Sequence, residues 1–492
     1  MLSGPEKANP AGCSLQFTAT FTPVSTMLNS AHTLFTLASA TTHFVELSML
    51  KRLFKLISPK GSNSNTTQQP IIIPRDQHNV SRKLISHAAI KVMRQLNDHG
   101  YEAYLVGGGV RDLLLGAHPK DFDVATNAKP EQVKSLFRGA RIIGRRFKIV
   151  HVRFGREIIE VTTFRGHHEA ARNEHGMVLR DNVYGSVQSD AVRRDFTVNA
   201  LYYSLDGFAV HDFTGGIHDL EKRTLRIIGD ATTRYQEDPV RMLRAVRFAA
   251  KLGFTIAPQT EAPIRPLADL LANIPPARLF EEVLKLFLAG SATATFHLLR
   301  EYNLFGQLFP GTEAQLATGD PIAMALVEQC MCNTDKRIRA GKSITPAFIY
   351  AALLWPVQQA KLKQLQGSMP QGQAFAEAAS QAVGQQLART SIPKRFLIPM
   401  REIWDMQHRL TLRSGGRAFK LVEHPRFRAA YDFTLLREDA GEKLGGLGQW
   451  WTKFQSADEA ERQTMVKSLK SGGGNSGRRR RGGRKKNTPK QG

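Results

Sequence analysis

The sequence predicts an α+β N-terminal domain, a small mixed sheet with helices, followed by an all-α neck and body with disordered termini. Three observations predict it. Strand-like and helix-like stretches alternate over residues 80–215, whereas from about residue 238 onward the apolar spacing is almost wholly helical. Both ends lack a core-forming pattern: residues 61–70 (GSNSNTTQQP) are polar and turn-rich, and residues 471–492 are glycine, serine and cations. With 492 residues and 42% hydrophobic content the chain can build a sizeable core, and its length suits two to four domains.

The elements follow in order. Residues 1–79 read as a poorly ordered extension and linker; residues 1–48 carry only Glu6, Lys7 and Glu46, and Met49 opens a basic stretch that suits a true start. Residues 80–215 form the first folded domain. Within it YEAYLV (101–106) runs as a strand into glycines, a short helix and then the strand DFDV. FKIVHVRF (147–154) and EIIEVTTF (157–164) flank Gly155-Arg156 as a hairpin. AVRRDFTVNALYY (191–203) reads as a helix with Val192, Phe196 and Ala200 as its buried stripe. Residues 216–290 form a helical neck, 291–468 a helical body and 469–492 a basic tail, with helices expected at 239–252, 277–289 and 345–354. There is no internal repeat.

Charge points to the partner. Lys plus Arg is 68 against 43 for Asp plus Glu, a net +25. Such an excess suits a polyanion, nucleic acid before an anionic membrane surface. Arg478, Arg479, Arg480, Arg481, Arg484, Lys485, Lys486 and Lys490 carry +8 with no acid between them. That segment cannot bury apolar area to offset its ordering entropy, and it fits a sequence-blind tether to phosphates. Cys13, Cys330 and Cys332 supply neither a disulfide framework nor a zinc set, which suits a reducing cytoplasm. No apolar run reaches the ~18–20 residues of a membrane helix.

Chemistry concentrates in four motifs. Gly107-Gly108-Gly109 at a strand-to-helix turn let backbone N–H groups approach a phosphate. After eleven intervening residues, strand alternation puts Asp121 and Asp123 on one face and Phe122 and Val124 on the other. Two adjacent carboxylates repel unless a cation sits between them, and magnesium takes one or two carboxylates plus substrate phosphate oxygens. Two candidates exist for a third carboxylate. Glu160 shares a strand face with Ile158 and Thr162; Asp195 follows Arg193-Arg194 and lies four before Asn199. Finally, EDPVRMLRAVRF (237–248) offers Asp238 as N-cap and Pro239 at the first helical position. Arg241, Arg244 and Arg247 then line one edge of that helix, where planar Arg and carboxylate groups suit base edges and phosphates. His167 and His168 read as loop residues.

In this order LVGGGVRDLLLG, DFDVATNA, RRDFTVNALYY and EDPVRMLRAVRFAAKLGF resemble the class II nucleotidyltransferases of the polymerase β superfamily, the class of the bacterial poly(A) polymerases and CCA-adding enzymes. The resemblance covers roughly residues 80–290. PARLFEE (276–282) is similar to the family's helical E-R-x-x-x-E element, with Arg278 and Glu282 in place and Ala277 where the first acid stands. IGRRFKIVHV (143–152) and the basic tail resemble the poly(A) polymerase branch.

The resemblance implies transfer of AMP from ATP to RNA 3′ ends, with pyrophosphate released and two magnesium ions held by Asp121 and Asp123. It implies Asp195 as the third acidic residue, ranked above Glu160, and Arg194 beside the nucleotide. Gly108, Gly109 and Arg111 would meet the triphosphate. Glu237, Asp238 and Arg241, with Arg244 beside them, would read the base. RNA-decay proteins are the partners it suggests. The rivals are a CCA-adding enzyme, an RNA-binding protein with a decayed transferase domain, and a transferase for small molecules.

Overall fold

The computed structural model describes residues 69–144, 148–166 and 183–471. Met49, Arg145 to Phe147, His167, His168 and the tail cations from Arg478 to Lys490 lie outside the described residues.

The first domain is built on an eight-stranded sheet. Its strands are β1 (Ile71–Ile73), β2 (Ala103–Val106), β3 (Asp123–Thr126), β4 (Ala140–Ile143), β5 (Ile149–Phe154), β6 (Glu157–Thr163), β7 (Leu201–Ser204) and β8 (Val210–Asp212). The spatial order is β1-β8-β7-β2-β3-β6-β5-β4. All pairings are antiparallel except β3 with β6, so β6 must return by a crossover. That crossover is α3 (Pro130–Leu136) and the strands after it. Two earlier helices are α1 (His87–Asp98) and α2 (Gly108–Leu114). Ser86 starts α1 by accepting from Ala89 N at 3.0 Å, and Ala89, Val92, Met93 and Leu96 form its buried stripe. Val124, Val150 and Val161 point into the same core. On the other sheet face Val106, Ala125, Phe164, Ala191 and Tyr202 make a smaller cluster, with Ala191 supplied by α4 (Val187–Arg193).

Two expectations are corrected here. Ile71–Ile73, placed in a poorly ordered extension, pairs with β8 as an edge strand. The stretch 191–203 is not one helix. It is the end of α4, a bend at Asp195, a 3-10 turn at Thr197–Asn199 and then β7. The helix breaks because the groups after Arg193 find better partners: Arg234 Nη2 donates to the carbonyls of Arg193 and Arg194, both at 2.7 Å, and Phe196 N donates to Asp195 Oδ1 at 2.8 Å. Phe196 and Ala200 are buried, but Val192 is 38% exposed.

The neck follows with α5 (Gly216–Glu221), β9 (Thr224–Leu225), α6 (Ala231–Glu237), α7 (Val240–Leu252), β10 (Thr255–Ile256), α8 (Pro258–Glu261) and α9 (Pro276–Phe287). The neck packs closely on the 3-10 turn: a Cβ on Gly216 would collide with Thr197 O. α7 buries Val240, Leu243, Val246 and Ala249 and stops at Gly253, whose φ of +66° closes the helix. Its N-terminus is one residue later than expected, with Pro239 at the cap, while Asp238 Oδ1 still accepts from Val240 N at 3.3 Å. The body is helical to Ser471 and includes Pro321–Arg339, Pro346–Leu365 and Lys394–Thr411. One hydrophobic core runs from Ile73 to Ala440 through all three parts, and a second cluster gathers Met406 to Val466.

Candidate active site

The sheet brings the glycine turn and the carboxylates together. Val106, the last residue of β2, pairs with Asp123, the first of β3. Gly107 then turns with φ +74° and ψ −140°, a conformation open to glycine alone. A Cβ there would stand 4.0 Å from Asp123 Oδ2 and 3.7 Å from Arg194 Nη1. Gly108 and Gly109 form the first turn of α2, and Gly109 packs close to Asp121 O. Asp121 precedes β3 and is exposed, while Phe122 and Val124 are buried beneath.

Across β3 the register sets Glu160 beside Asp123, and across β6 it sets His151 beside Glu160. His151 Nε2 lies 3.2 Å from Glu160 Oε1. Burial, the Glu160 carboxylate and, to a lesser degree, Asp121 push the Asp123 carboxyl up to about 6, against the pull of Arg194. This concentration of acid is what a bound cation would relieve. Among the described residues no three His, Cys, Asp or Glu side chains enclose an ion by themselves. Asp121 and Asp123 are the carboxylates that could hold such a cation, with phosphate and water oxygens completing its shell.

Arg194 is the cation facing this site. Its Nε and Nη2 reach Asp190 Oδ2 at 3.2 and 2.9 Å, and its Nε reaches Tyr202 Oη at 2.7 Å. Tyr202 Oη also donates to Asp190 at 2.7 Å. The Tyr202 and Asp190 partners hold the guanidinium charged despite its burial. Asp190 and Tyr202 escaped the sequence reading; the i,i+4 spacing of Asp190 and Arg194 was the available signal.

Two predicted residues are engaged by protein partners. Arg111 is 2% exposed; its Nε and Nη2 bind Asp112 Oδ1 at 2.8 and 2.6 Å and its Nη1 binds Asn199 Oδ1. It lies against Gly108 of the glycine turn, with its guanidinium engaged by Asp112 and Asn199. Asp195 faces Arg244 of α7. Its Oδ2 accepts from Arg244 Nε at 2.7 Å and from Nη2, and its Oδ1 from Phe196 N and from Asn199 Nδ2 at 3.2 Å. Despite burial, Arg244 holds its carboxyl down at about 2, aided by the Asn199 and Phe196 bonds.

The neck supplies a second constellation. Glu237 Oε2 accepts from Arg234 at 3.0 Å and Arg241 at 3.1 Å, and Arg241 also donates to Arg234 O. Asp238 pairs with Arg278 at 2.7 Å, so α9 braces the α6–α7 junction. Glu282 is buried and takes Lys285 at 2.8 Å. Arg111, Arg244 and Arg247 all lie over the ring of Phe248, at 5.3, 5.4 and 4.3 Å. Arg247 Nε is buried without an acceptor, and burial with the Arg244 charge brings its pKa down to about 10. A cavity lined by Thr197, Asp212, Thr214 and Arg226 contains none of the predicted site residues.

Three family models match: the poly(A) polymerase head domain over residues 103–226, the probable RNA- and SrmB-binding site of polymerase A over 253–316, and the polymerase A arginine-rich C-terminus over 367–486. Poly(A) polymerase I of Salmonella typhimurium is 51% identical over 411 residues, 81% of this chain and 88% of that protein. The Haemophilus influenzae poly(A) polymerase I is 44% identical over 83% of this chain and 93% of its own. A CCA-adding enzyme of Lactobacillus johnsonii is 38% identical over 47% of this chain and 58% of its own. In fold, the chain is similar to an apo CCA-adding enzyme (TM-score 0.53, 19% identity, 83% of this chain and 92% of that one). It is also similar to the Thermotoga maritima CCA-adding enzyme complexed with tRNA (TM-score 0.50, 18% identity, 81% and 99%). No described helix is long and apolar enough to cross a membrane. With half of its residues shared over nearly nine-tenths of a curated relative's length, the chain belongs to the poly(A) polymerase I family.

Proposed function

We propose that this chain is a polynucleotide adenylyltransferase that extends RNA 3′ ends with AMP from ATP and releases pyrophosphate. The observation that carries the proposal is the convergence of Gly107, Asp123 and Arg194 at one turn, with Glu160 in register beside Asp123. Residues 80–215 act as catalytic head, 216–290 as the base-reading neck, and 291–468 with the basic tail as the RNA grip.

In this reading the ATP triphosphate lies along Gly108 and Gly109, and Arg194 neutralises it. Asp190 and Tyr202 fix that guanidinium before substrate arrives, so little reorganisation is needed when charge develops. Asp121 and Asp123 would hold two magnesium ions, which supply positive charge to the reacting phosphate and lower the cost of ionising the attacking hydroxyl. Glu160 is the third carboxylate, because the parallel register sets it beside Asp123. Asp195 serves the arginines instead. Glu237, Asp238 and Arg241 are held by Arg234 and Arg278 in one geometry, ready to hydrogen-bond adenine. Cys330 and Cys332 are free thiols, which suits the cytoplasm, and RNA-decay proteins are the partners proposed for the body and tail.

Primer extension tests the reading. The protein is incubated with magnesium, labelled generic RNA and each nucleoside triphosphate separately, beside a tRNA lacking its CCA end. Long ladders with ATP alone on generic RNA are expected. Addition that needs CTP and stops after three nucleotides on the tRNA would move the chain to the CCA-adding enzymes. No extension of either RNA would leave an RNA-binding protein.

A further inference from the structure

Arg111, Asn199, Asp195 and Arg244 form a continuous file of hydrogen bonds from the glycine turn to the neck. Arg111 Nη1 donates to Asn199 Oδ1, Asn199 Nδ2 donates to Asp195 Oδ1 at 3.2 Å, and Arg244 Nε donates to Asp195 Oδ2 at 2.7 Å. The four side chains come from α2, the 3-10 turn, the bend before it and α7. At one end Arg111 Nη2 lies 3.3 Å from where a Cβ on Gly108 would sit. At the other, Arg244 stands one turn from Arg241 on the edge that meets Glu237.

Asn199 is the middle link, and its chemistry is specific. It is 6% exposed and uses its amide oxygen toward a cation and its amide NH2 toward an anion. An aspartate there would set carboxylate against carboxylate, and a leucine would strand both neighbours. The Asn199 carbonyl also lies 4.0 Å from the Cβ position of Gly107, so the same residue touches the turn by backbone and by side chain.

We infer that Asn199 is a positioning residue that couples base recognition in the neck to the phosphate-holding turn in the head. The inference rests on the function proposed above. A nucleotide that seats correctly against Glu237 and Arg241 leaves Arg244 on Asp195, and the file then holds the turn in its working geometry. A base that displaces α7 pulls on Asp195 and Asn199 and disturbs the turn, so the wrong nucleotide is penalised in turnover as well as in binding. Buried polar chains of this kind move as units, because breaking one link strands the next.

The test is steady-state kinetics of the full chain with ATP and with CTP on generic RNA. Wild type, Asn199→Ala, Arg244→Gln and the double variant are compared, each checked for its melting transition and RNA affinity. For Asn199→Ala, kcat with ATP is expected to fall about thirtyfold with KM changed less than about threefold, and the ATP-to-CTP ratio of kcat/KM to narrow about tenfold. The double variant is expected to narrow the ratio no further than Arg244→Gln alone. A folded Asn199→Ala protein with an unchanged ratio, or fully additive variants, would overturn the inference. Should Asn199→Ala not fold, Asn199→Ser carries the same comparison. A wild type without ATP preference would overturn the proposed function itself, and is distinguished by being seen before any variant is made.

Discussion

Asp123 and Glu160 stand side by side where β3 meets β6, the one parallel pairing among the described strands of the large sheet. The antiparallel neighbour of β3, strand β2, brings Val106 and the glycine turn to its other side. The strand order therefore places the glycine turn and a carboxylate on opposite flanks of one aspartate.

Asp123→Asn tests that aspartate. It is expected to lower kcat on the order of a thousandfold while RNA affinity changes less than about twofold. Magnesium is expected to raise the melting temperature of the wild type and not of the variant. Differential scanning fluorimetry with and without magnesium, beside filter binding to RNA, checks both outcomes.

The pair Asp195–Arg244 makes a pH-dependent contribution to stability. The Asp195 carboxyl is held at about 2 in the folded chain against 3.8 as its ordinary value. The folded state thus binds its proton less readily, so the stabilisation is complete above pH 3.8 and is lost as pH falls toward 2. The contribution is about 2 kcal/mol at neutral pH. Urea unfolding from pH 2 to 6 should show the wild type and Asp195→Asn separated at the upper end and converging at the lower. Glu160→Gln should instead abolish turnover with little effect on unfolding.

Gly107→Ala puts a side chain on a backbone with φ +74°, beside Asp123 and Arg194. The strain costs about 1–2 kcal/mol. Relieving it moves the turn, so kcat should fall at least about tenfold. Gly116→Ala shares a positive φ but meets nothing within 4 Å, and should cost stability without comparable loss of turnover. Parallel unfolding and kinetic measurements on the two variants check the contrast.

Arg247 keeps a buried Nε with no acceptor. Arg247→Met removes that penalty and some repulsion from Arg244. The variant should be as stable as the wild type or more so, by about 1 kcal/mol, while its KM for ATP rises several-fold. Loss of stability with an unchanged KM would show Arg247 to be a structural residue.

Much of the site was legible because it obeys local rules. Alternation around DFDV put Phe122 and Val124 in the core and the two aspartates away from it. The apolar stripe of α7 likewise fixed the edge that carries Arg241, Arg244 and Arg247. What escaped depends on contacts remote in sequence. The end of α4 at Arg193 reflects carbonyls taken by Arg234, some forty residues on. The place of Glu160 beside Asp123 escaped because register across a parallel pair is invisible in one strand. Arg111 read as a phosphate ligand, and only tertiary packing turns it inward to Asp112 and Asn199.

The helix Lys394–Thr411 has a consequence for building hybrids of this protein. Met400, Ile403 and Trp404 belong to the main core, and Trp404 Nε1 donates to Ala351 O at 3.1 Å. Met406 and Leu410 belong to the second cluster, where Trp451 Nε1 donates to Leu410 O at 3.1 Å. A graft of C-terminal sequence from a relative that begins before this helix cuts the main core. One that begins after Leu410 strands Trp451. A seam at Asp405, where this helix passes from one interior to the other, keeps both clusters only if the incoming segment preserves Phe433, Leu436 and Ala440, which return from the helix Phe427–Asp439 and its C-terminal cap to the main core.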